Sequence, residues 1–186
     1  APVAEPLRKL LVPIKGKTGS ADKIGLARVK QLARSFQVLM EFLTYTFLAQ
    51  VWSEQFLEEG KKSSQAINDE LKQFLDLSES ERSAYDFTSL IKALEGMLKD
   101  WGSALFLKEW EKVEGGFLNN PHIQKICDFY LVLRKRLKED DVLQQESAAL
   151  CELGEKYLTQ LFVGLSYLAQ YRLATVKSIE VEKYPH

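Results

Sequence analysis

Only two cysteines, two histidines and five prolines occur in the 186 residues, and each scarcity removes a class of chemistry. The two thiols, Cys127 and Cys151, both fall inside apolar helical patterns. That placement predicts reduced, buried side chains acting as small hydrophobes rather than a disulfide framework. His122 and His186 have no ligand-spaced partners, whereas zinc takes three or four His, Cys or carboxylate ligands, so no metal site is expected. No cofactor is expected either. Long apolar runs are also lacking. The most apolar stretch, residues 38–52, contains Glu41, Thr44, Thr46 and Gln50 and falls short of the roughly 20 apolar residues of a membrane span. The opening APVAEP has none of the charged-then-apolar layout of a signal peptide. The expectation is a cytoplasmic protein with no membrane partner. Charge of one sign is missing too: the net charge of −1 argues against a surface built throughout for nucleic acid, leaving only local basic patches.

What remains is ordinary globular material, 46% hydrophobic, in a chain long enough to bury roughly 70% of its unfolded surface without a staple. Its periodicity is helical. Residues 5–12 (EPLRKLLV) predict a short helix ended by Pro13, and a polar loop, residues 15–22, follows with Asp22 as an N-cap. Ile24, Val29, Leu32, Phe36, Leu39, Leu43, Phe47 and Val51 then mark one face of a long helix running to about Glu59 and closed by Gly60. Around Leu43 the pattern is apolar nearly all round, which predicts a central position in the bundle.

A second helix fits residues 64–75, with Ile67, Leu71, Phe74 and Leu75 inward. The run Ser78-Glu79-Ser80-Glu81 matches a capping box that opens a short turn. Further helices fit residues 88–101 and 103–113, and Gly115-Gly116 breaks the chain. Asn120-Pro121 is a start signal for a helix to about Lys138, since asparagine caps and the missing proline N–H costs nothing at the first position. A last long helix is expected over residues 143–172, with Gly154 and Gly164 explained by close approach of a neighbour. Beyond it, residues 174–183 are β-branched and alternate at period two, which predicts a strand.

The expected fold is therefore all-α: a bundle of about five to seven helices with two long central ones, plus a short C-terminal β-strand. Residues 1–173 form the single domain. Residues 174–186 are the strand or the start of a truncated following segment.

Motifs for chemistry are few. Gly16-Lys17-Thr18 ends like a P-loop, but Leu11 stands where the first glycine belongs and no buried strand precedes it, so it reads as a surface loop. The aromatics Phe36, Phe47, Trp52, Trp101 and Trp110 sit at helical spacing, which signals core before pocket. Two basic clusters stand out: Arg8, Lys9, Lys15, Lys17, Lys23, Arg28, Lys30 and Arg34, and then Arg134-Lys135-Arg136-Leu137-Lys138. Cations near a helix C-terminus also complement the helix dipole, so solvated helix-end charge is the plain reading. The sharper one makes Arg134, Lys135, Arg136 and Lys138 a phosphate- or RNA-binding patch.

The segment Phe129–Glu139 (FYLVLRKRLKE) resembles the signature helix end of HEPN domains, helical bundles of bacterial defence and signalling proteins. Arg134 matches the family arginine, Lys135 stands where asparagine is usual, and Glu139 stands where histidine falls. The helical layout is similar over about residues 22–180. In active members the arginine and histidine are implied to act on an RNA phosphodiester. Glutamate titrates near pH 4 and repels phosphate, so Glu139 does not replace an imidazole poised near neutrality. The resemblance therefore implies a degenerate, non-cleaving form, with no catalytic residues. It would serve as an interaction, sensor or regulatory module within a larger bacterial protein, and self-association or a protein partner is expected. The alternative is an RNA-binding or RNA-cleaving domain centred on the same basic residues.

Overall fold

One helix organises the chain. The computed structural model describes residues 24–57, 61–112 and 116–171, and α1 (Leu26–Leu57) is its longest element, 32 residues or about 48 Å. Val29, Leu32, Phe36, Leu39, Leu43, Phe47 and Val51 are all buried along one side of it. Ile24, expected on that face, precedes the helix and is 73% exposed. Polar residues enter the buried side only with partners: the Thr44 hydroxyl donates to the Met40 carbonyl at 2.9 Å, one turn back.

Local signals set the next helices. Ser64 caps α2 (Gln65–Asp76), its hydroxyl accepting from the Ile67 amide. Leu71 and Phe74 are buried there, but Leu75 is 45% exposed, because it lies about 80° around the helix from Ile67, at the edge of the apolar arc. The Ser78 capping box opens α3, the single turn Glu79–Arg82. Asp86 caps α4 (Phe87–Asp100), one residue ahead of the expected start. Leu90, Ile91, Leu94 and Leu98 form its fully buried face against α1.

The helix expected over residues 103–113 shrinks to one turn, α5 (Lys108–Glu111). The cause is a set of competing hydrogen bonds. The Gln50 side-chain amide donates to the Ala104 carbonyl at 2.8 Å and accepts from the Phe106 amide at 2.9 Å. The Leu105 amide donates to the Glu111 carboxylate at 2.8 Å. Side chains thus satisfy a backbone that a helix would otherwise have to satisfy.

Gly116, at φ +92°, leads into a 3₁₀ turn, Phe117–Asn119, and α6 (Pro121–Lys138) begins where Asn120-Pro121 predicts. The α6 terminus closes with Asp140 at φ +52° and a hydrogen bond from the Asp141 amide to the Arg136 carbonyl, the six-to-one pattern of a left-handed cap.

The final helix is shorter than expected. A 3₁₀ turn, Gln144–Glu146, precedes α7 (Ser147–Gly164), and a second one, Ser166–Gln170, follows it. Both glycines answer close neighbours. A Cβ on Gly154 would sit 3.3 Å from Leu32 Cδ1, and the Tyr130 hydroxyl donates to the Gly154 carbonyl at 2.6 Å. A Cβ on Gly164 would meet the Phe117 ring at 3.0 Å, where α7 ends.

Among the described residues the fold is an all-helical bundle, with α4, α6 and α7 gathered around α1. No strand occurs among them, and the expected strand over residues 174–183 lies outside the described residues, as do the helix at 5–12 and the Asp22 cap. The stretch around Leu43 is central, as its pattern predicts: Leu43 is fully buried and α1 meets α4, α6 and α7, although Tyr45 and Ala49 leave one strip of it exposed.

Candidate functional site

The basic end of α6 splits into separate environments. Arg134 is 4% exposed and faces inward. Its Nη1 donates to the Tyr85 carbonyl at 3.1 Å and its Nη2 to the Arg82 carbonyl at 2.5 Å. The guanidinium lies 5.1 Å above the centre of the Phe87 ring, a cation–π geometry. Burial pulls its pKa down to about 10, with Glu41 and Asp86 holding it up, so the group stays charged at neutral pH. Its Nε has no hydrogen-bond partner among the described residues, and Arg134 also lines a cavity of about 10 Å³ with Asp86 and Cys127.

Arg136 turns elsewhere. It pairs through Nη2 with Glu146 and through Nε with Asp141 at 3.4 Å, and also donates to the Asp141 carbonyl at 2.7 Å. Those contacts tie the loop between α6 and α7 to the helix end. The Glu146 carboxyl is held below its usual range, chiefly by the hydrogen bond from Arg136. Lys135, Lys138 and Glu139 are exposed, and the Glu139 amide simply continues the helix ladder to the Lys135 carbonyl at 3.1 Å.

The structure does bring parts of the two basic clusters together. A surface groove of about 290 Å³ between α1 and α6 is lined by Lys30, Arg34, Gln37, Arg134 and Lys138. Carboxylates border it: Glu79 lies 3.9 Å from Arg34, and Lys138 is close enough to help lower the Glu81 carboxyl, after the Ser78 hydrogen bonds that dominate that shift. Lys135 and Arg136 are not among its lining residues. Arg8, Lys9, Lys15, Lys17 and Lys23 lie outside the described residues.

The five aromatics do not surround one cavity. Phe36 stacks on Tyr130 at 4.4 Å, and Phe47 meets Trp110 edge-on at 5.1 Å, both in the core. Trp101 is partly buried, and Trp52 is 52% exposed on the outer side of α1. His122 sits at the start of α6, 3.0 Å from the Gln160 side chain. Among the described residues no cluster of His, Cys, Asp and Glu is arranged to hold a metal ion. Cys127 and Cys151 are free and buried, and burial pushes the Cys127 thiol up to about 12. No helix among the described residues is long and apolar enough to cross a membrane.

Two apolar grooves of about 470 Å³ each open on the surface of the described residues. One lies between α6 and α7, over Phe129, Val132, Leu150, Leu153 and Tyr157. The other runs along α1, over Val38, Phe42, Tyr45 and Ala49, with Phe106 at its edge. Reading α1 for its core face alone misses this second face, although the four-and-three spacing that marks it is written in the sequence.

No family model, curated protein or solved structure matches the chain.

Proposed function

We propose that this chain is a non-catalytic helical interaction, sensor or regulatory module, of the kind carried by larger bacterial signalling and defence proteins, working in the cytoplasm. The observation that carries the reading is the outer face of α1, where Tyr45, Trp52 and Phe56 are 42%, 52% and 90% exposed on a helix whose opposite side already supplies the core. Contiguous exposed aromatics of this kind mark contact surfaces for other proteins. The position of Arg134 supports the same reading. The one residue that matches the HEPN arginine gives its guanidinium to two backbone carbonyls and an aromatic ring, a structural use that needs no phosphate.

The groove that gathers Lys30, Arg34 and Lys138 favours a second reading, contact with RNA phosphates by a HEPN-type domain. One experiment separates the two. A labelled single-stranded RNA is titrated with the full chain at low and physiological salt, beside a Lys30→Glu, Lys138→Glu variant. The interaction reading expects no cleavage and no binding at physiological salt. Cleavage, or salt-sensitive binding that the double variant loses, overturns it in favour of RNA.

A further inference from the structure

Val38, Phe42, Tyr45, Ala49, Trp52 and Phe56 recur along α1 at steps of four and three. At 100° per residue the six share an arc of about 80°, directly opposite the arc of Phe36, Leu43 and Phe47. Alternating steps of four and three are the heptad pattern, in which a second helix keeps to one seam along its length. The occupant that fits this face is therefore a helix.

We infer that the occupant is the same helix of a second copy of this chain, packed antiparallel about a two-fold axis level with Phe47. The inference rests on the interaction reading above and names its partner. Such an axis sets Phe56 against Val38 of the second copy, Trp52 against its Phe42, and Tyr45 against its Ala49. Each layer then joins a larger side chain to a smaller one, as close packing requires. Glu41, the charged residue on the groove's rim, comes to face Ser53 rather than another carboxylate. A net charge of −1 adds little repulsion between copies.

The area suffices as well. Phe56, Trp52, Phe106 and Tyr45 are 90%, 52%, 48% and 42% exposed, which amounts to roughly 500 Å² of aromatic surface per copy. A symmetric pair would cover about 1,000 Å² before Val38, Phe42 and Ala49 are included, enough for a specific interface.

The test is sedimentation velocity of the full chain over a dilution series. The expected result is a dimer that dissociates on dilution and that Trp52→Glu with Phe56→Glu renders monomeric at every concentration. Both side chains point to solvent, so the variant keeps the wild-type circular dichroism spectrum. Phe56→Glu alone, at the most exposed position, weakens the dimer at least tenfold and serves if the double variant misfolds. Orientation is read by mild oxidation with oxidised glutathione, the native thiols being buried. Tyr45→Cys with Ala49→Cys links two copies, and Tyr45→Cys alone does not. A strictly monomeric wild type, a dimer that survives both glutamates, or equal linking by Tyr45→Cys alone each overturns the inference. The interaction reading would outlast any of these results, since the RNA assay decides it separately.

Discussion

The guanidinium of Arg134 lies over the ring of Phe87, 5.1 Å from its centre, and fastens the α3–α4 connection to α6. Truncation removes the donor described for the Tyr85 carbonyl and one of two for the Arg82 carbonyl, which also accepts from the Tyr85 amide at 3.2 Å; a buried acceptor left unpaired costs about 1–3 kcal/mol. Arg134→Ala is therefore expected to destabilise the chain by about 2–4 kcal/mol, seen as a lower urea midpoint. An unchanged midpoint would show that the contact carries no stability. The residue is also a poor probe of RNA binding, because its loss would weaken the fold before it reported on a ligand.

Asp140 occupies the left-handed region at φ +52°, where glycine is unstrained. Its side chain is exposed. Asp140→Gly should raise stability by up to about 1 kcal/mol and the melting temperature by a few degrees. A fall in melting temperature would mean that the carboxylate has a role the backbone geometry does not reveal.

Asp86 links stability to pH. Burial pushes its carboxyl up, but the side-chain hydroxyls and backbone amides of Thr88 and Ser89 outweigh that and hold it below the ordinary 3.8. A carboxyl depressed by folding contributes stability that is present above its unfolded value and lost as pH falls through the folded one. Asp86→Asn should therefore lower stability at pH 7, with the difference from wild type shrinking below about pH 4. Paired urea titrations at pH 7 and pH 3 measure it, and an equal difference at both would sink the assignment.

Much of the architecture was legible because its determinants are local. Ser78 and Asn120 each announce a helix start within three residues of the groups they satisfy, and both do so in the structure. The core faces of α1, α4 and α6 follow directly from helical periodicity. Other features were hidden because their causes are distant in sequence. Residues 103–107 avoid a helix because Gln50, some fifty positions earlier, bonds to their backbone. The last helix stops at Gly164, against the ring of Phe117. The candidate site was the least legible part. Arg134, Lys135, Arg136 and Lys138 are neighbours in the sequence, but successive helical residues point 100° apart, so they reach a buried carbonyl pair, solvent, an acidic loop and a groove respectively.

The two-sided helix also has a consequence in time. The partners that bury the inner side of α1 lie far along the chain, with α4 starting at Phe87 and α7 ending at Gly164. At ordinary rates of translation α1 waits on the order of ten seconds for the last of them. Until then its inner side is covered only in part, by α4, and its outer side faces the surrounding solution. Soluble yield is then governed by how well α1 is shielded while the ribosome is still at work, and glutamate at Trp52 or Phe56 would ease synthesis even in a cell where no second copy ever arrives.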